Sequence, residues 1–144
     1  MRRIASLASI IVGITMAVVG VVAWVVISNT LADQKITVSD DASCAAGDDV
    51  NGPISAYCEA DIINTHALDA TGGKTYAELE RDDPARETAM QASFLQASLF
   101  TSVVAFGVAL MGVAVGLVLV LIGFALRTAP AAAPMATAPR AEST

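Results

Sequence analysis

The sequence predicts an all-α membrane protein, an antiparallel hairpin of two transmembrane helices carrying a small, mostly helical extracytoplasmic cap. Three observations predict it. Ile4–Ile27 runs without Asp, Glu, Lys or Arg. Thr88–Leu126 is longer still and equally free of charge. Between them, residues 33–92 hold 13 acids against four bases, a net charge of −9. Each uncharged run exceeds the roughly 20 apolar residues that cross a bilayer. The whole chain is 55% hydrophobic but only 5% aromatic and 15% charged. Apolar residues concentrated in two blocks fit lipid-facing helices better than a core spread through a globular fold. The overall charge of −6 opposes attraction to a polyanion, so nucleic acid is not an expected partner. The lipid bilayer is.

The first span is assigned to residues 4–27, after a short N-terminal stub of residues 1–3. A secretory signal peptide is the rival reading, since Arg2 and Arg3 form a positive leading region. Its apolar stretch would run roughly 7–15 residues and end in a small-residue cleavage site. This run is longer, and Ser28-Asn29-Thr30-Leu31-Ala32 has no clean A-x-A pattern. The reading is an uncleaved anchor, with Trp24 at headgroup depth. Basic flanks orient spans toward the cytoplasm. Arg2 and Arg3 precede the first span, and Arg127 follows the second. Both termini are therefore expected in the cytoplasm of a plasma-membrane protein, with residues 28–96 outside.

Within that outer segment, Lys35-Ile36-Thr37-Val38 alternates and is β-branched, which favours a short extended piece. Ser39–Gly52 is rich in Asp, Ser, Gly and Asn and reads as a loop. Pro53 suits the first position of a helix over about residues 53–70. Ile54, Tyr57, Cys58, Ile62, Thr65 and Leu68 supply its apolar stripe, and Glu59, Asp61, Asn64 and Asp69 take its other faces. Gly72-Gly73 stops it. Thr75-x-x-Glu78 is a capping box, predicting a short helix over Tyr76–Glu80 or Arg81. Asp83-Pro84 starts the last helix. Uninterrupted to Leu126, that helix is longer than a bilayer needs, so its beginning stands outside as a stalk and residues 97–126 form the second span. Residues 127–144 are an Ala/Pro-rich, low-complexity cytoplasmic tail of disordered type.

The two spans carry matching seams of small residues. In the second, Ser98, Ser102, Ala105, Ala109, Gly112, Gly116, Leu119 and Gly123 recur at steps of three and four. In the first, Ser6, Ser9, Gly13, Met16, Gly20, Ala23 and Ile27 do the same. Small residues let helix backbones approach closely in lipid. The spacing leaves open whether the seam closes the hairpin, forms a homo-oligomer or receives another membrane protein.

The residues of possible chemistry are few. Cys44 and Cys58 both fall in the outer segment, where a cysteine pair reads as a disulfide. Closing a loop of about 15 residues contributes ~3 kcal/mol in the chain-entropy model, a staple that a cap of this size needs. Two alternatives stay open: a pair of free thiols, and a metal site with His66, which lacks a fourth ligand for zinc. His66 is the sole histidine and reads as a polar-face residue. The doublets Asp40-Asp41, Asp48-Asp49 and Asp82-Asp83 lack the EF-hand pattern. Thr71-Gly72-Gly73-Lys74-Thr75 has Leu68 where a phosphate loop needs its first Gly. Neither span holds an ionisable residue, which argues against proton or ion transport by this chain.

Three runs carry a family resemblance: LADQKITVSDDA over Leu31–Ala42, TGGKTYAEL over Thr71–Leu79 and ASLFTSVVAFGVA over Ala97–Ala109. With them the chain resembles small actinobacterial two-span membrane proteins that bear the inherited name "aromatic ring-opening dioxygenase LigA". The resemblance implies the same two-span architecture. The name implies extradiol ring opening, which uses Fe(II) held by two His and a carboxylate. One histidine does not supply that set, so no catalytic residue, metal or cofactor is expected of this chain. The expected function is a structural or accessory subunit of a larger membrane assembly. The alternatives are the dioxygenase of the family name, a thiol-redox protein and an envelope sensor.

Overall fold

A computed structural model describes residues 2–128. Of the tail read from the sequence over residues 127–144, Arg127 and Thr128 instead continue the last helix, and residues 129–144 lie outside the described residues. Three helices account for most of the chain: α1 (Arg2–Asp33), α2 (Pro53–Ala70) and α3 (Ala85–Thr128). α1 packs on α3, and α2 packs on α3. Both α1 and α3 are long and apolar enough to cross a membrane. No strand forms among the described residues. The extended piece at Ile36–Val38 contributes a single antiparallel bridge, Thr37 with Asp49. Val38 N–H donates to Asp48 and Val50 N–H to Ile36, each at 2.9 Å.

α1 is longer than the apolar run that marks it. Ala32 and Asp33 still lie within it, and Lys35 ends it in the left-handed region at φ 53°. α3 spans 44 residues, roughly 66 Å at 1.5 Å per residue. Asp83 starts it as its sequence predicts: Oδ1 accepts the Ala85 N–H at 2.9 Å, filling one of the orphan donors of a helix N-terminus.

α2 has the predicted boundaries, and both ends have a local cause. Ser55 Oγ accepts the Gly52 N–H at 3.3 Å. At the far end Gly73 N–H reaches Leu68 O at 2.7 Å and Gly72 N–H reaches Asp69 O. Gly72 supplies the positive φ of 63°. This is the paired bonding of a Schellman stop.

Two local expectations are corrected. Thr75–Glu78 forms its capping contacts, with Glu78 Oε2 accepting from both the N–H and the hydroxyl of Thr75 at 2.8 Å. Yet only one hydrogen-bonded turn follows, not a helix. Arg86 explains why. Its Nη1 donates to the Leu79 carbonyl at 2.6 Å, and its guanidinium lies 4.1 Å from the Tyr76 ring centre. The carbonyl and the ring are engaged by α3, and the turn is held against it.

The second correction concerns α2. Its buried residues are Ser55, Ala56, Cys58, Glu59, Ala60 and Ile62, while Ile54 and Tyr57 of the predicted stripe are 72% and 51% exposed. α2 packs against α3: Cys58 and Ile62 of the stripe are buried as expected, Ala56 and Ala60 are buried beside them, and Ile54 and Tyr57 turn outward.

The buried core lies where the middle segment meets the helix pair. Leu31, Val38, Val50, Ala56, Cys58, Ala60, Leu99 and Phe106 form one cluster. Trp24 packs into it rather than standing free at the surface: its ring meets Phe106 edge-on, with centroids 4.7 Å apart.

Candidate functional site

The seam residues come together as backbone contacts between α1 and α3. At Gly13, a Cβ would sit 2.5 Å from the Gly116 carbonyl oxygen. At Gly116 it would sit 2.5 Å from the Gly13 carbonyl oxygen, so the approach is reciprocal. Gly20 stands over Ala109, where a Cβ would lie 2.7 Å from the carbonyl oxygen. At Gly123 it would meet Ile10 Cγ1 at 2.5 Å and the Ser6 carbonyl oxygen at 2.9 Å. Ser6 Oγ donates to the Gly123 carbonyl at 2.7 Å, a buried bond. Ser6, Gly13 and Gly20 ascend in steps of seven as Gly123, Gly116 and Ala109 descend. This is a heptad seam between antiparallel helices. Gly112 is looser, with its nearest neighbour at 3.8 Å, and Ala105 is half-buried.

Above Ala109 the seam changes character. Leu99 and Phe106 are buried there, whereas Ser98 is exposed and Ala105 only half-buried. The small-residue register read from the sequence therefore holds from Gly123 to Ala109 and shifts by one residue beyond it. The reason is the Trp24–Phe106 pair: two rings fill the space between the helices, and large side chains replace glycine contacts.

In the middle segment, Cys44 and Cys58 form a disulfide with Cα atoms 5.6 Å apart. It ties the loop after Val38 to α2. Two further contacts tie the same pieces. Glu59 is only 7% exposed, and its Oε2 accepts the Ser39 N–H at 3.0 Å. His66 Nε2 lies 2.7 Å from Asp41 Oδ2 on the surface. The hydrogen bond that Asp41 accepts from the protonated ring raises the His66 pKa above its ordinary value. The same bond lowers that of Asp41. Sequence reasoning placed Glu59 on the faces away from the apolar stripe and gave His66 no hydrogen-bond partner. Both partners arrive from the distant loop after Val38, and local spacing carries no signal of either.

Three chemical groups therefore converge on one loop, but as cross-links. Among the described residues no three His, Cys, Asp or Glu come together as metal ligands. Neighbouring faces remain open. Tyr57 and Phe100 meet edge-on with centroids 6.0 Å apart, and both are exposed, as is Ile54 one turn before Tyr57. From Phe100 the outward side of α3 continues through Val104, Gly107 and Met111. Gly107 has nothing within 4 Å of where a Cβ would stand.

Comparison with family models, curated proteins and solved structures finds no match to this chain.

Proposed function

We propose that this chain is a two-span plasma-membrane hairpin with both termini in the cytoplasm, serving as a structural or accessory subunit of a larger membrane assembly. The acidic middle segment is its extracytoplasmic cap. One observation carries the reading: the glycine seam is used up inside the chain, and a separate apolar face stays open. That face starts on the cap at Ile54 and Tyr57, crosses to Phe100 and descends α3 through Val104, Gly107 and Met111. Lipid satisfies the lower part. The exposed Ile54–Tyr57–Phe100 patch at the cap base suits a partner protein, because aromatic anchors on a rigid element are typical of contact surfaces. The disulfide and the Glu59 bond supply the rigidity. Gly107 allows a partner helix to approach closely.

Photo-crosslinking in native membranes tests this. A crosslinking residue at Ile54 or Val104 should capture a defined partner, and one at Val18 on α1 should not. Recovery of the chain alone, at monomer mass, from mild detergent would overturn the reading. The resemblance supplies the rival, iron-dependent ring opening. Stoichiometric iron in the purified protein, lost in His66→Ala, would favour that rival.

A further inference from the structure

A groove of about 830 Å³ opens at the end of the helix pair remote from the acidic segment. Arg2 and Arg3 line it from the start of α1, and Arg127 lines it from the last turn of α3. Its wall continues along α1 through Ile4, Leu7 and Ile11. These three follow at steps of three and four, so they share one helix face, and each is exposed. No Asp or Glu lies between Arg2 and Ala32 or between Thr88 and Thr128. Among the described residues, the charge at this end is therefore of one sign.

Guanidinium groups grip phosphate oxygens through paired N–H donors. The N-terminus of α1 adds the positive end of its dipole and its first-turn N–H groups. An inorganic anion would use only these and leave the apolar wall empty. An anion with a hydrocarbon body uses both, and basic pockets at the ends of membrane helices take lipid headgroups. We infer that this groove seats an anionic phospholipid, its phosphodiester among Arg2, Arg3 and Arg127 and an acyl chain along Ile4, Leu7 and Ile11. The inference rests on the membrane-spanning reading above and adds a ligand to it.

The test uses the full chain reconstituted into phosphatidylcholine vesicles with spin-labelled phosphatidylglycerol or spin-labelled phosphatidylcholine as probe. Electron spin resonance reports the fraction of each probe immobilised by the protein. At low salt, phosphatidylglycerol should associate at least about fivefold more strongly, the worth of one basic residue at an anionic surface. Arg2→Gln/Arg3→Gln/Arg127→Gln should bring the two probes to parity. Lys35→Gln/Lys74→Gln, in the acidic segment, should keep the preference. Helicity and disulfide content confirm that the triple variant is folded; if it is not, Arg127→Gln alone should lose part of the preference. Parity in the unaltered chain, a preference that survives the arginine changes, or equal loss in the lysine variant overturns the inference. Alkaline washing separates the two levels. A chain that washes off the vesicles refutes the spanning reading and the inference with it. One that stays but shows parity refutes the lipid site alone.

Discussion

Ser6 and Gly123 are joined across the helix pair by a hydroxyl-to-carbonyl bond of 2.7 Å, and both residues are buried. The bond lies one heptad beyond the Gly13–Gly116 contact, so it fixes register at the end where the backbones would otherwise be free to slide. Replacing Ser6 with Ala leaves the close approach intact and removes the bond. Hydrogen bonds between membrane helices contribute about 0.6 kcal/mol on average. Ser6→Ala should therefore lower stability by about that amount, measured by reversible unfolding in mixed micelles. A loss several times larger would mean that the serine does more than bridge the helices.

The glycines should divide sharply. Gly13→Val and Gly116→Val each place a side chain against backbone, where no flexible neighbour can yield. Overpacking of this kind costs about 1–3 kcal/mol, and the same unfolding measurement should show it in either variant. Gly107→Ala meets nothing within 4 Å and is helical, so it should be neutral or stabilising by up to ~1 kcal/mol. The same Gly107→Ala change should weaken partner capture under the proposed function, because the outward face loses its point of closest approach.

These contrasts also mark what the sequence could tell. Long uncharged runs marked α1 and α3, because apolar residues gathered in two blocks favour helices long enough to cross a membrane, and Asp83-Pro84 marked where α3 begins. Pro53 and Gly72 bounded α2, because each changes what the backbone can do. The small residues of the seam were legible from Gly123 to Ala109, though not that they meet α1 of the same chain. The seam was not legible above, since Phe106 is buried through its pairing with Trp24, a long-range event that no local period records. Glu59 was misplaced for the same reason: its acceptor role depends on Ser39 arriving from a loop. The turn at Tyr76 was read as a helix because the capping box is a local signal, while Arg86, on the following helix, decides the outcome.

The disulfide and Glu59 hold one loop, and the two can be separated. Reduction, or Cys44→Ser with Cys58→Ser, reopens a loop of about 15 residues and should cost ~3 kcal/mol. Hydrogen exchange at Val38 and Val50, both bonded across that loop, should speed up strongly. Glu59→Ala leaves the Ser39 N–H without its acceptor and should cost about 1–3 kcal/mol. Exchange at Ser39 should rise most in that variant. Equal protection in oxidised and reduced protein would show that the loop is held by other means.

The surface pair His66–Asp41 gives the middle segment a dependence on pH whose sign follows from the two shifts. His66 is raised from 6.5, mainly by its bond to Asp41. Asp41 is lowered from 3.8, mainly by the same bond. A raised histidine stabilises fully below its unfolded value and loses that contribution as pH rises through its folded value. A lowered carboxylate stabilises above its unfolded value and loses that contribution as pH falls through its folded value. The pair is therefore most effective between about pH 4 and 6.5, and it fades on both sides. Asp69 and Glu59 also favour the charged form of His66, so removing Asp41 should leave a small residual elevation. NMR titration of the His66 ring should give a midpoint above 6.5 in the unaltered chain and a lower one in Asp41→Asn. An unchanged midpoint in that variant would show that the bond does not persist in solution, leaving the loop tied to α2 by the disulfide and Glu59.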